Sequence, residues 1–287
     1  MSLYRNTVWL LKGLQEYTKG GYEAAARSFS EADLEVNVSG RSFIITGANS
    51  GIGKAAACEI AKRGGTVHLV CRNEDRANEA RKDIVERCKN EINNAGCMVN
   101  QRELTEDGLE KNFATNTLGT YVLTTALIPT LKKSENPRVI TVSSGGMLVQ
   151  KLNVEDLQFE KGSFDGTMAY AQNKRQQVIM TEQWAAQHKE IHFSSMHPGW
   201  ADTPAVQSSM PDFHAKMKNK LRTEAQGADT VVWLAISDAA SRQPSGLFFQ
   251  DRKAVSTHLP LASSRSSPAE EQKLMSKLEE LAVKFKC

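Results

Sequence analysis

A doubly wound α/β sheet is the fold class that this 287-residue sequence predicts, and three observations predict it. A short apolar run, Ser42-Phe43-Ile44-Ile45, leads into a glycine-rich turn, a helix and a second short apolar run. Strand-like and helical stretches then alternate to about residue 250. Inside one helical run, Thr167 to Gln187, Tyr170 and Lys174 stand four apart, which puts a phenol and an ammonium on one face about one turn from each other. A nearby positive charge favours the phenolate, so this pair can act as a general acid/base on an alcohol or carbonyl oxygen.

Residues 1 to 40 form an arm. Leu3 to Tyr17 and Tyr22 to Phe29 are broadly helical, and Gly20-Gly21 between them should break the run. The arm's apolar face can cover the main domain, pair with another subunit or rest on a membrane surface; covering the core is the simplest use. From Ser42 a buried parallel strand runs into Thr46-Gly47-Ala48-Asn49-Ser50-Gly51-Ile52-Gly53, followed by a helix from Lys54 to Arg63 and a strand from Thr66 to Cys71. Strand, glycine turn, helix, strand is the unit that seats a phosphate at a helix N-terminus. Gly47 and Gly51 permit the turn and the close approach of a pyrophosphate, and Gly53 lets the helix pack on the sheet. Asn49, Ser50 and Ile52 complete the cradle. After the second strand an acidic residue would hold the 2′-hydroxyl of NAD(H); here Cys71-Arg72-Asn73 stands instead, and Arg72 suits the extra phosphate of NADP(H).

Further along, Leu104 to Leu131 reads as one long helix entered through Thr105-Glu106-Asp107 and containing Asn116. Arg138 to Val142 is a strand opening onto Ser143-Ser144-Gly145-Gly146. The Tyr170 helix follows. Ile191 to Met196 is the next strand and ends in His197-Pro198-Gly199-Trp200-Ala201-Asp202-Thr203. Thr223 to Ser237 is helical, and Leu247-Phe248-Phe249 is the last short strand. Between about 200 and 222, Trp200, Met210, Phe213 and Met217 suggest a mobile apolar lid over a lipophilic substrate. The extension from 251 ends in a helix, announced by the capping pattern Ser267-Pro268-Ala269-Glu270 and carrying one stripe of Leu274, Leu278, Leu281 and Phe285.

Composition excludes several classes. With 40% hydrophobic and 24% charged residues the chain is ordinary for a globular protein. A scattered formal charge of +3 gives no footprint for nucleic acid. No run of 18 apolar residues predicts a membrane span, and Val8-Trp9-Leu10-Leu11 lacks the cleavage site of a secretory signal. Five cysteines without a CxxC pair suit a reducing compartment, here the cytoplasm. His188 and His192 lack the further ligands a metal centre needs.

Over about residues 41 to 250 the sequence resembles the short-chain dehydrogenase/reductase family. The matching pieces are the glycine turn, Asn93-Asn94-Ala95-Gly96, Asn116, Ser143-Ser144, Tyr170 with Lys174, and Pro198-Gly199 with Thr203. The resemblance implies a Rossmann-type fold and an oxidoreductase acting on a small carbonyl or alcohol compound, with NADP(H) favoured over NAD(H). It implies Tyr170 as the proton-transfer group, Lys174 lowering its pKa and holding the nicotinamide ribose, and Ser144 rather than Ser143 binding the substrate oxygen. Asn116 would support a relay to Lys174. Asn94, Pro198, Gly199 and Thr203 would border the cofactor. Apolar helix faces in this family often pair, which makes a homo-oligomer an option.

One interval breaks the pattern. Asn73 to Ile92 is only 20 residues. A third strand, its helix, another helix and a fourth strand require on the order of 45. The helical stretch Glu74 to Lys89 uses nearly all of that interval, so the third strand and most of the fourth are expected to be missing, as an internal deletion by alternative splicing would leave the chain. An alternative reading follows: a catalytically impaired or silent variant that acts by binding.

Overall fold

The computed structural model describes residues 2–70, 74–88 and 101–285. The arm opens with α1 (Ser2–Lys12), continues as a π-helical turn (Gly13–Tyr17) and restarts as α2 (Lys19–Ala26). The break falls at Thr18, not at Gly20-Gly21, which lie inside α2. Thr18 turns extended and caps α2, its hydroxyl accepting from Gly21 N at 3.2 Å. A Cβ on Gly21 would lie 2.3 Å from Glu16 O, so glycine here serves the close approach of two helical turns.

Strand β1 (Ser42–Thr46) runs into α3 (Gly51–Lys62) and then β2 (Thr66–Val70), which pairs with β1 in parallel, Ile44 opposite His68. Helix α4 (Glu74–Cys88) follows. The expected long helix from Leu104 starts later. Leu104 bridges Glu110 across a turn in which Gly108 takes φ +76°, and the buried Glu110 carboxylate then accepts from the backbone N–H of Asn112 and Phe113. That cap sets the helix start, and the run becomes a π-helical segment (Phe113–Leu118) leading into α5 (Gly119–Leu131).

Strand β3 (Arg138–Val142), α6 (Gly166–Gln187) and β4 (His192–His197) come next, then α7 (Pro204–Ser209), α8 (Pro211–Met217), α9 (Glu224–Ile236) and the single turn α10 (Asp238–Ser241). A hairpin of β5 (Phe248–Gln250) and β6 (Lys253–Ala254) precedes α11 (Pro268–Ala282). Ser267 and Glu270 close the foreseen capping box. Leu274, Met275 and Leu278 of α11 pack with Tyr121, Met180 and Trp184, so this apolar surface of α5 and α6 is satisfied within the chain.

The sheet is split. β1 and β2 form one parallel pair, and β3-β4-β5-β6 form a second sheet, parallel except for β6. Among the described residues no strand lies between β2 and β3 in sequence. The expectation of a strand buried on both faces fails for β1 accordingly. Ile44 is 50% exposed and Val70, on the same face of the pair, 44%. The opposite face is covered by α3, and the alternation in β2 (Val67 and Leu69 buried) follows from that one-sided cover.

Helix α9 joins the halves. Ala228, Val232, Ala235 and Ile236 pack with Ala56, Ala57 and Ile60 of α3 in one buried cluster that Phe43, Ile45 and Ile140 also border. At its C-terminal end, Arg41 beside β1 donates to Ala235 O (3.0 Å), and Arg138 at the start of β3 donates to Leu234 O and Ser237 O (3.0 and 2.8 Å). Cations at a helix C-terminus meet its unsatisfied carbonyls and its dipole. Removing the Ile236 side chain leaves a cavity at this junction, so Ile236→Ala should lower the unfolding free energy by about 2–5 kcal/mol in urea titrations. Both variant and parent should show one transition by fluorescence and circular dichroism. Two resolved transitions in the parent would mean that the halves are not coupled through α9.

Candidate active site

Helix α6 carries Tyr170 and Lys174, the pair expected to transfer the proton. Asp165 caps it, accepting from Thr167 N and Met168 N at 2.9 and 3.1 Å. One turn in, Lys174 Nζ lies 5.2 Å from the centroid of the Tyr170 ring and donates to Val142 O at the end of β3 (2.9 Å). Adjacent serines part company there. Ser143 Oγ donates to the Lys174 carbonyl (2.9 Å) and fastens α6 to β3, whereas Ser144 accepts from Gly146 N and stands near enough to the Tyr170 phenol to lower its pKa.

Burial governs the electrostatics. It pushes the partly buried Tyr170 phenol up to about 12, against a smaller lowering by Ser144, and draws Lys174 down to about 8. The expectation that Lys174 would lower the Tyr170 pKa is therefore corrected. The ammonium stands over the ring, and the desolvation that weakens its own charge also disfavours the phenolate. At neutral pH the phenol holds its proton.

Asn116 comes to the same place from the π-helical segment, as π-turns often do at functional sites. Its carbonyl accepts from Thr120 Oγ1 (2.8 Å) and from Gln177 Nε2 (2.7 Å), while its buried Nδ2 has no partner among the described residues.

On the cofactor side, Gly47 and Gly51 take φ +78° and +59°, and a Cβ on Gly53 would lie 2.3 Å from Gly47 O. Ser50 stands at the N-cap of α3 without a side-chain cap, and Asn49 and Ile52 flank it. A tight glycine cradle at a helix start without a side-chain cap fits a dinucleotide pyrophosphate. Thr203 abuts this turn; a Cβ on Gly51 would meet Thr203 Cγ2 at 3.3 Å. Arg72 and Asn94 lie outside the described residues, with the rest of Asn93-Asn94-Ala95-Gly96.

Pro198 and Gly199 are held by a residue that motif reading missed. Arg222, 1% exposed, makes a two-pronged pair with Asp251 (2.6 and 2.9 Å) and donates to Pro198 O, Glu16 O, Tyr17 O and Thr18 O. Gly199 takes φ +78°, and a Cβ there would fall 2.2 Å from Arg222 Nε. The same contacts bring the arm to the site. Tyr17 is fully buried edge-on to His197 (4.4 Å between centroids), whose Nδ1 accepts from Gly145 N. Burial lowers the His197 pKa well below the ordinary imidazole value and keeps the ring neutral. Trp200, expected in a lid, packs with Phe213, Met217, Tyr17 and Trp9, so arm and lid form one aromatic cluster. Met210 stands at the N-cap position of α8 without a side-chain hydrogen bond to it. The only sequence signal for this was the arm's apolar character; what it covers depends on the distant pair Arg222 and Asp251.

Comparison with known proteins bears on the family and the fold. The family described as short chain dehydrogenase matches residues 41–92 and 85–213. The two matches meet at 85–92, where the chain is short. Dehydrogenase/reductase SDR family member 12 of Homo sapiens is 62% identical over 317 residues, covering 100% of both chains; against 287 residues this leaves 30 aligned positions empty here. Retinol dehydrogenase 12 of Mus musculus is 31% identical over 257 residues, 77% of this chain and 80% of that one. A solved short chain dehydrogenase of Escherichia coli CFT073, complexed with NADPH, shares the fold with a TM-score of 0.60 at 20% identity, over 78% of this chain and all of that one.

The buried ammonium makes stability depend on pH. Between about pH 8 and the ordinary lysine value of 10.5, the folded chain has released the Lys174 proton while the unfolded chain keeps it, so stability rises with pH in that window. Relative to Lys174→Met, the parent should gain about 2–3 kcal/mol between about pH 7.5 and 10 in urea titrations. A constant difference would show that Lys174 is not desolvated.

Proposed function

The chain belongs to the short chain dehydrogenase family, whose members are NAD(P)-dependent oxidoreductases, and from that premise we propose that it reduces a carbonyl compound, or oxidises the matching alcohol, with Tyr170 as acid/base. The observation that carries the reading is the meeting of Tyr170, Ser144 and Lys174 at the end of β3. When bound, the nicotinamide supplies or accepts the hydride. Ser144 holds the substrate oxygen beside the phenol. Tyr170, protonated at neutral pH, gives its proton to that oxygen, so the resting state is set for reduction. Lys174 stays charged below about pH 8 and, donating to Val142 O, keeps its place over the Tyr170 ring.

Gly47, Asn49, Ser50, Gly51, Ile52 and Gly53 would hold the pyrophosphate, and Pro198, Gly199 and Thr203 the nicotinamide side. One feature supports NADP(H): Arg72 stands where an acidic residue would suit NAD(H). The aromatic cluster of Trp200 and Phe213 suits a lipophilic carbonyl, as does the likeness to a protein named retinol dehydrogenase. Among the described residues no helix is long and apolar enough to cross a membrane. Our reading is a cytoplasmic protein whose exposed arm residues Leu3, Leu10 and Leu11 of α1 and Leu14 of the π-helical turn offer a surface for peripheral membrane contact.

A second reading, a silent chain that acts by binding, has the split sheet in its favour. Ligand linkage separates the two. NADPH at 100 times its Kd should raise the unfolding free energy by about 2.7 kcal/mol, and NADH at equal concentration by less. Turnover of a lipophilic aldehyde should fall by about 10²–10⁴ in Tyr170→Phe. No ligand-induced stabilisation, or equal rates in Tyr170→Phe, would reject the oxidoreductase reading for this chain.

A further inference from the structure

Gln177 lies one turn beyond Lys174 on α6 and is 5% exposed. Its Oε1 accepts from Lys174 Nζ at 3.1 Å, and its Nε2 donates to the Asn116 carbonyl at 2.7 Å, with Thr120 Oγ1 at 3.5 Å. We infer that Gln177 is a positioning residue for proton transfer, its side-chain amide bridging the Lys174 ammonium to the Asn116 carbonyl. The inference rests on the proposed role of Tyr170 and Lys174.

Chemistry fixes the direction of the bridge. An ammonium only donates and a carbonyl only accepts, so the amide has one orientation that satisfies both. A flipped amide would set NH₂ against NH₃⁺ and oxygen against oxygen. The amide is also neutral. Burial alone lowers the Lys174 pKa, with no charged partner contributing. The elements packed around the ammonium present Tyr170 from α6, Val142 and Ser143 from the end of β3 and Asn116 from the π-helical segment, none charged at neutral pH. A carboxylate in place of the amide would hold the proton on Lys174 and face the Asn116 carbonyl without a hydrogen to give. Gln177 thus anchors the ammonium while leaving it near its point of release. Val142 O and Gln177 Oε1 take two of its three N–H groups, and the third remains for the site.

The bridge ties α6 to the π-helical segment through the one carbonyl of Asn116 that Thr120 also engages. That gives the irregular turn a purpose in the site. It also accounts for Asn116 by its backbone, with the side chain left aside.

Two readouts test this on the full-length protein. The first needs no activity: the ¹³Cε resonance of Lys174, assigned through Lys174→Met, is titrated against pH. Its midpoint should be about 8 in the parent. It should rise by one unit or more in the isosteric Gln177→Glu, where a full charge stands about 3 Å from the ammonium. In Gln177→Leu it should fall. The second readout is kcat with saturating NADPH, expected to drop about tenfold to a hundredfold in Gln177→Leu and in the shorter Gln177→Asn, which cannot span both partners, with NADPH affinity changed less than threefold. The alkaline limb of the rate profile should move up in Gln177→Glu. A midpoint that stays put in Gln177→Glu overturns the inference, whether or not the chain turns over, and so does an unchanged kcat in Gln177→Leu. If the parent proves inactive while the midpoint moves as stated, the proposed function fails and the bridge stands.

Discussion

Everything in this chain depends on how the two half-sheets are held side by side. In a complete doubly wound sheet, backbone hydrogen bonds from a strand between β1 and β3 would do that. Among the described residues α9 does it, with a buried apolar face against α3 and with Arg41 and Arg138 donating to its last carbonyls. The glycine turn sits on one half and Tyr170 and Lys174 on the other. Their separation is therefore set by side-chain packing. Packed interiors resist volume change, but they do not fix a register as a ladder of strand hydrogen bonds does.

Around the site the common theme is desolvation. Lys174 is buried with only neutral partners, Tyr170 keeps its proton, and His197 stays neutral. The buried charge pair of Arg222 with Asp251 serves to hold loops. It gathers Glu16, Tyr17 and Thr18 of the arm and Pro198 of the loop after β4 around one guanidinium, whose planar fork suits a carboxylate and several carbonyls together. The arm thereby becomes part of the wall that meets the lid.

Short-range patterns were legible in the sequence. Strand β3 spans the expected Arg138 to Val142, and the Ser267-Pro268-Ala269-Glu270 pattern gave the start of α11. The Tyr170 helix was off by one residue. Misreadings had local causes. The helix through Asn116 starts late because the Glu110 side chain caps it from inside, and acidic residues at 106 and 107 had offered a plausible earlier start. The arm breaks at Thr18 because its hydroxyl found Gly21 N, and the glycines after it fitted a helix that crowds its neighbour.

The sequence by itself determined the fold class, the placing of Tyr170 and Lys174 on one helical face, the glycine turn and the shortness of the 73–92 interval. Each is written in spacing along a few residues, and local backbone geometry turns spacing into position. Only the tertiary structure decided that Ser143 fastens α6 while Ser144 meets the phenol, that burial overrides the ammonium in setting the Tyr170 proton, and that Gln177 and Arg222 hold the site together. Those outcomes depend on which groups lose their water and which distant partners arrive, and desolvation is a property of the packed chain, not of any segment of it.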